Sequence, residues 1–173
     1  MEHDELRTRI KLVLASQLYG VLSTQGEDGL PHASIIAFAS ADDLCSIVFA
    51  TPKNTRKHRN MLARAGVAFF IDDRRENREE LMQVVGIEAT GQAAEMTGDQ
   101  RQTYRSILLA KHPQMAGFVD SPSSALIRIA VKAYDMVDHF QHVLILPVTD
   151  VSADGFAGGS AGDFAAGAGR NLP

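Results

Sequence analysis

The sequence predicts a mainly β fold, in which six or seven antiparallel strands form a small barrel with helices at its periphery. Three observations lead to this prediction. Short apolar segments rich in β-branched and aromatic residues recur along the chain, the first three of them are joined by short turns, and the strand–helix–strand alternation of a parallel sheet is missing. A chain of 173 residues fits one domain that buries a sizeable core.

The first half of the chain is predicted to contain a helix, three strands and a second helix. Apolar residues recur at helical spacing over residues 4–17, and Asp4 is the expected cap of that helix. Three strands, separated by the turn sequences GEDG and ADD, are predicted at residues 19–24, 32–40 and 44–51. The second helix is predicted over residues 55–65, with Gly66 ending it. The residues of this helix expected to face the core are Met61, Leu62 and Ala65.

The second half of the chain adds four strands and a long helix. The helix is predicted over residues 97–111, and the strands are predicted at residues 67–72, 84–96, 125–139 and 142–148. Within the second of these strands, Gly86 and Gly91 indicate bulges or bends. The chain is therefore divided into a barrel domain at residues 1–150 and a tail at residues 151–173. The Gly/Ala-rich composition of the tail is typical of a flexible segment.

Composition argues against several classes of function. The net charge of −4 is unlike that of a general nucleic-acid-binding protein, which is normally basic. The one cysteine, Cys45, excludes an internal disulfide and a cysteine-based metal site. No apolar run approaches the ~20 residues that span a bilayer, and the N-terminal sequence MEHDELRTRI is too charged for a signal peptide. We therefore expect a cytoplasmic protein with neither a nucleic-acid nor a membrane partner.

The stretch IVFATPKNTRKHRN carries the clearest chemical signal. Its apolar strand stops at Pro52, and either Asn54 or Thr55 can cap the helix that follows. The cations in or beside the first helical turn are Lys53, Arg56, Lys57 and Arg59. Positive charge is unfavourable at this end of a helix, because the macrodipole is already positive there. A phosphate bound by backbone N–H groups, these cations and the Thr51 and Thr55 hydroxyls would resolve the conflict, although a solvated basic helix face remains the alternative reading.

The order of elements resembles the pyridoxamine 5′-phosphate oxidase-like family. The segments LYGVLST, PHASIIAF and IVFATPKNTRKHRNML carry the resemblance, which covers about residues 5–96 and continues more weakly to residue 146. Members of this family are FMN-binding split barrels, usually homodimers that hold FMN at the subunit interface. The resemblance therefore implies a six- to seven-stranded antiparallel split barrel that binds FMN as a homodimer.

The resemblance also implies which residues contact the cofactor. Its sharpest pattern falls on residues of the strand end and helix start, namely Ala50, Thr51, Thr55, Arg56 and Lys57, and in the family the Arg–Lys pair binds the FMN phosphate. The strand at residues 34–38 is expected to lie along the isoalloxazine ring and to offer it backbone groups. The expected contacts there are Ser34, Ile36, Ala37 and Phe38. Gln83 is expected to correspond to a ring-contacting residue from the second subunit.

The chain also departs from authentic pyridoxamine 5′-phosphate oxidases. Those enzymes carry an Arg and a Lys at the positions of Ser34 and Ala39, and their C-terminal region carries a Trp and an Arg–x–His-type element. This chain has no Trp and ends in the Gly/Ala tail. Because a pyridoxamine phosphate substrate brings its own dianionic phosphate, it needs cations beyond those engaged by FMN. The sequence therefore predicts a divergent relative that does not oxidise vitamin B6.

The predicted function is hydride transfer between bound FMN and a small organic or nicotinamide substrate, with the cofactor carrying the difficult step. No acid–base dyad or nucleophile motif is evident, so no catalytic residue is assigned. Two alternatives stay open, namely a non-catalytic flavin-binding module and a split barrel that uses deazaflavin or haem. Among the histidines, His58 is expected to be a packing residue, and the spacing of His139 and His142 is weak evidence for a metal.

Overall fold

The computed structural model describes residues 2–74, 84–138 and 142–148. The helices are α1 (Glu2–Ser16), α2 (Arg56–Ala63), α3 (Gly98–Lys111) and α4 (Ala116–Val119), with a 3₁₀ turn at Pro113–Met115. The strands are β1 (Tyr19–Gln25), β2 (Pro31–Ser40), β3 (Ser46–Pro52), β4 (Gly66–Asp72), β5 (Gly86–Glu95), β6 (Ser124–Asp138) and β7 (His142–Pro147). The predicted mainly β fold is confirmed.

All strand pairs are antiparallel, and six of the strands close into a barrel. The strand order is β3-β2-β1-β4-β5-β6-β7, and an additional pairing between β3 and β6 closes the ring. Strand β7 lies outside the ring, where it pairs with the C-terminal half of β6 from Ala133 to Asp138. Closure pairs most of the strand edges that an open sheet would present to other chains.

The core fills the barrel, and a second apolar layer lies under α3. Leu22, Phe38 and Phe69 are fully buried inside the barrel, where the Phe38 and Phe69 rings meet edge to face at 5.0 Å. Strand β3 is buried along six of its seven residues. Its second face is covered because Val48 packs with Leu108 of α3 in the second layer. This double coverage explains why β3 reads as a continuous apolar run rather than an alternating one.

The second helix differs from its prediction at both its exposed face and its end. Leu62 is 67% exposed and Ala65 is exposed, while the residues that face inward are His58, Asn60 and Met61. The helix packs against β1 through a polar contact, because the Asn60 side chain donates to Thr24 Oγ1 at 3.0 Å. Helix α2 ends at Ala63 with Arg64 as its C-cap, so Gly66 opens β4 instead of ending the helix.

Two smaller predictions also need correction. Asp4 lies inside α1, which begins at Glu2, and is therefore not its cap. Of the two glycines in β5, Gly91 sits at a register shift against β6, as predicted, whereas Gly86 pairs in register with Val137. A Cβ added at Gly91 would lie 2.3 Å from the Ala130 carbonyl oxygen, so only glycine allows this close approach of β5 and β6.

Several predicted features lie outside the described residues. They include Gln83, His139, the tail at residues 151–173 and most of the charged segment at residues 73–80. Within the residues that are described, no helix is both long enough and apolar enough to cross a membrane.

Candidate cofactor-binding site

Strands β2 and β3 pair along only part of their length. Strand β2 pairs with β1 along seven residues, from Pro31 to Ala37, but its register with β3 covers only Phe38–Phe49, Ala39–Val48 and Ser40–Ile47. Beyond Phe38 and Phe49 the two strands diverge, and the end of β3 pairs only with β6. This gap, named the β2–β3 split, separates residues 31–36 of β2 from residues 50–52 of β3.

One edge of β2 is therefore open along the split. The Phe38 N–H points toward β1, since it bonds the Leu18 carbonyl at 3.4 Å, and the Ala41 N–H points toward β3, since it bonds the Ser46 carbonyl at 2.9 Å. Because backbone direction alternates along a strand, the N–H and C=O groups of Ala33 and Ile35 face the split. Within the described ranges these groups have no strand neighbour on that side.

The predicted ring-side residues lie on this stretch of β2, where side chains and open backbone groups point in different directions. Ser34, Ile36 and Phe38 turn their side chains to the inner face, where Ile36 and Phe38 are buried and Ser34 is half-buried. The open backbone groups belong to Ala33 and Ile35, which were not among the expected contacts. Alternation along the strand would have identified Ala33 and Ile35 only if it had been known that β3 does not pair with this part of β2.

The opposite wall of the split leads into α2. Thr55 occupies the N-cap with extended backbone angles, and its hydroxyl oxygen accepts from the His58 N–H at 3.4 Å. Thr51, at the end of β3, is 1% exposed, and its hydroxyl lies 3.2 Å from that of Thr55. The two predicted hydroxyls therefore converge at the start of the helix. Ala50 is buried beside them, in register with Leu126 of β6.

The cations of the first helical turn differ in how far they are already paired. Lys53 forms an ion pair with Glu95 at 3.2 Å, and the Arg59 guanidinium donates to the Asn54 carbonyl at 3.3 Å. Arg56 approaches Asp28 only loosely, at 3.7 Å, with both side chains about half exposed. Over the described part of the chain, Lys57 has neither an ion pair nor a side-chain hydrogen bond. Arg56 and Lys57 are thus the cations best placed to take a new anionic partner.

A cleft of about 310 Å³ lies at this end of the split. It is lined by Glu27, Asp28, Arg56, Arg59 and Asn60. The two acidic residues belong to the β1–β2 turn, and no motif in the sequence marks that turn as part of the site. The Arg56 guanidinium also lies close to this turn, 3.2 Å from the position that a Cβ on Gly26 would occupy. The turn therefore holds Arg56 near the helix start while leaving its charge accessible.

His58 is a structural residue, as predicted. It is 5% exposed, its Nδ1 contacts the Lys53 carbonyl at 3.0 Å, and its Nε2 contacts Glu95 at 3.3 Å. Both ring nitrogens are therefore engaged. His142, considered for a metal, instead contacts the buried Asp138 at 3.0 Å. The described residues contain no group of three His, Cys, Asp or Glu side chains that could hold a metal ion.

The end of α3 clamps the point at which β2 joins β3. His112 Nε2 lies 2.8 Å from the Phe38 carbonyl, and the Lys111 ammonium sits 4.2 Å from the centre of the Phe38 ring. Lys111 also donates to the Leu14 and Gln17 carbonyls at the end of α1. Burial lowers the pKa of Lys111 to about 8. These contacts fix the inner end of the split.

The fold and this gap define a split β-barrel. A model of the pyridoxamine 5′-phosphate oxidase family matches residues 6–138, which contain every described strand except β7. The chain therefore belongs to that family. No curated protein matches the sequence.

Solved structures share the fold at low sequence identity. A haem-binding protein from Mycobacterium smegmatis is 17% identical with a TM-score of 0.73, and the match covers 85% of this chain. The chain spans 58% of the length of that protein. General Stress Protein 26 from Bacillus anthracis is 20% identical with a TM-score of 0.61, over 83% of this chain and 98% of that protein.

A third structure is a Clostridium acetobutylicum protein related to general stress protein 26 and described as a member of the pyridoxinephosphate oxidase family. It is 12% identical with a TM-score of 0.65, over 84% of this chain and 96% of that protein. At such identities these structures support the fold and nothing finer.

Proposed function

We propose that the protein is an FMN-dependent oxidoreductase that transfers a hydride between the flavin and a small organic or nicotinamide substrate. The observation that carries the proposal is the β2–β3 split, with an open backbone edge on one wall and an accessible cation pair on the other. Membership of the pyridoxamine 5′-phosphate oxidase family supports the same cofactor.

The residues present fit a flavin mononucleotide. The phosphate would be held by Arg56, Lys57, the Thr55 hydroxyl and the first backbone N–H groups of α2, an eight-residue helix whose N-terminus favours anions. Thr51 would act by orienting the Thr55 hydroxyl, 3.2 Å away. The polar edge of the ring would meet backbone groups of β2, beside the expected contacts Ser34, Ile36, Ala37 and Phe38.

Bound FMN would supply the hydride-accepting and hydride-donating chemistry. The chain's own contribution is to bind, orient and exclude water. The side chains of Ile36 and Phe38 are buried in the barrel core and anchor this part of β2, and the contact of His112 with the Phe38 carbonyl holds the strand in place. No proton donor is assigned.

A homodimer would complete the site. On the outer face of the barrel, Ile35 lies beside Val21, which in turn lies beside Phe70. Ile35 is 76% exposed, Phe70 is 44% exposed and the nearby Tyr19 is 61% exposed. This apolar strip borders the split, so a second subunit packed on it would cover the ring side of the cofactor. The expected role of Gln83 as a contact from the second subunit stays a prediction.

Oxidation of vitamin B6 is not part of the proposal. Ser34 and Ala39 stand where authentic oxidases carry cations, and Ala39 is buried, 2% exposed, under α3. The split therefore offers a second phosphate little positive charge once Arg56 and Lys57 are engaged.

Reduction of the bound flavin tests the enzymatic part of the proposal. The FMN-loaded protein is mixed anaerobically with reduced nicotinamides, and bleaching of the flavin absorbance is followed. Bleaching faster than that of free FMN supports an oxidoreductase that uses a nicotinamide. Tight FMN binding without bleaching by these donors or by small organic reductants would favour the non-catalytic flavin-binding module instead. The visible spectrum of the purified protein also distinguishes flavin from deazaflavin and from haem. Haem is the ligand given in the name of the mycobacterial protein.

A further inference from the structure

His32 carries an unexplained polar atom. Among the described residues, its Nδ1 is the one buried side-chain nitrogen or oxygen without a hydrogen-bond partner. Folded proteins pair the large majority of their buried polar atoms, and leaving one unpaired costs free energy. The atom therefore needs a partner that does not come from the described protein groups.

His32 lies on β2 at the end of the β2–β3 split that is nearer to α2. His32 lies on the part of β2 that has no β3 neighbour, directly opposite Thr24 of β1 and therefore on the same face. The Thr24 hydroxyl accepts from the Asn60 side chain at 3.0 Å and donates to the His32 carbonyl at 3.4 Å. Asn60 in turn lines the cleft that contains Arg56 and Arg59. The main chain of His32 is thus linked to Asn60 of α2 through the Thr24 hydroxyl, and the His32 ring lies on the same face of the sheet as that hydroxyl.

We infer that the His32 Nδ1–H donates a hydrogen bond to the phosphate group of the bound flavin nucleotide. The inference rests on the proposed function. A phosphate oxygen only accepts hydrogen bonds, and an imidazole N–H can donate to it in either the neutral or the charged form of the ring. His58 is closer to the helix along the chain but has both ring nitrogens engaged. Of these two histidines, His32 is therefore the one able to bind the ligand.

Affinities for FMN and riboflavin, measured by flavin fluorescence titration, test this contact because the two ligands differ by the phosphate. His32→Ala should weaken FMN binding about tenfold while leaving riboflavin binding unchanged, as expected for one lost charge-assisted hydrogen bond. His32→Asn, whose amide lies near the position of Nδ1, should retain most of the FMN affinity. His32→Gln, whose amide lies near Nε2, should not. His142→Asn, at an exposed histidine on β7, is the matched control and should bind both ligands as the wild type does.

Each outcome decides the inference. Equal losses for FMN and riboflavin would put the contact on the ring or the ribityl chain and overturn it. Unchanged FMN affinity in His32→Ala and in His32→Gln would mean that a water satisfies Nδ1, which also overturns it while leaving the proposed function intact. If His32→Ala does not fold, as judged by its far-ultraviolet circular dichroism, the FMN affinities of His32→Asn and His32→Gln still test the contact. A wild-type protein that binds neither flavin would remove the proposed function together with this contact.

Discussion

Arg56 and Lys57 are held at the positive end of a helix, where their charges are unfavourable in the absence of an anion. Replacing both with alanine should reduce FMN affinity by about 2–4 kcal/mol, because charge-assisted bonds to the phosphate are lost. Isothermal titration with FMN measures the change. Without FMN, the double variant should be at least as stable as the wild type, since two repelled charges are removed.

The matched control is Lys11→Ala with Lys132→Ala, which removes the same charge from two exposed positions on α1 and β6. This control should bind FMN as the wild type does, apart from a small salt-dependent effect. Similar losses in the two double variants would mean that only net charge matters. The assignment of Arg56 and Lys57 as phosphate ligands would then be wrong.

At the scale of single elements, Gly91 determines how closely β5 and β6 approach. In Gly91→Ala the new Cβ would lie 2.3 Å from the Ala130 carbonyl oxygen, a backbone atom that cannot move aside cheaply. We expect a loss of about 2–3 kcal/mol in the free energy of unfolding, measured by urea denaturation. Gly66→Ala, whose nearest neighbour is the end of the Gln92 side chain at 3.9 Å, should change stability by less than about 0.5 kcal/mol. Equal effects at both glycines would contradict this account of the register shift.

The Lys111 ammonium, which links the end of α3 to carbonyls at the end of α1, makes a pH-dependent contribution to stability. Burial lowers the pKa of Lys111 to about 8, from an ordinary value of 10.5. Between these two values the unfolded chain binds more protons than the folded one, so this group makes the protein more stable as the pH rises. The free energy of unfolding of the wild type minus that of Lys111→Met should therefore increase between pH 8 and pH 10. A difference that falls with pH, measured by urea denaturation, would show that the carbonyl bonds of the ammonium outweigh its burial.

Element boundaries were predicted correctly where hydrophobic periodicity and turn residues agreed. The prediction failed where the packing contact is polar. The meander, the long β5 and β6 strands and the α3 helix were predictable from their spacing and flanking residues. The inward face of α2 was not, because Asn60 contacts Thr24 through a hydrogen bond that a search for apolar stripes cannot detect. Leu62 was misassigned for the same reason.

The apolar strip on the outer face predicts the oligomeric state of the whole molecule. Ile35→Glu would put a charge into the proposed subunit interface, so the variant should sediment as a monomer at micromolar concentration where the wild type sediments as a dimer. Leu12→Glu, at an exposed leucine on α1, is the control and should leave the dimer intact. A wild type that sediments as a monomer would contradict the proposed dimer.

The site as a whole could be predicted only in part from the sequence. The pattern from Ala50 to Lys57 pointed to a phosphate because its residues are adjacent in the chain. The opposite wall depends on where β2 leaves β3, and that is a property of long-range pairing. Consequently the open backbone of Ala33 and Ile35, the acidic β1–β2 turn and the orphaned nitrogen of His32 became evident only in the folded chain.

Equilibrium titration of the flavin-free protein with FMN, followed in the visible spectrum, tests the central claim most directly. We predict saturable binding of one FMN per subunit with a shifted flavin spectrum, and loss of that binding when Arg56 and Lys57 are both replaced by alanine. If a correctly folded wild-type protein leaves the FMN spectrum unchanged at saturating cofactor, or if the double variant binds FMN as tightly as the wild type, the split does not hold the flavin phosphate.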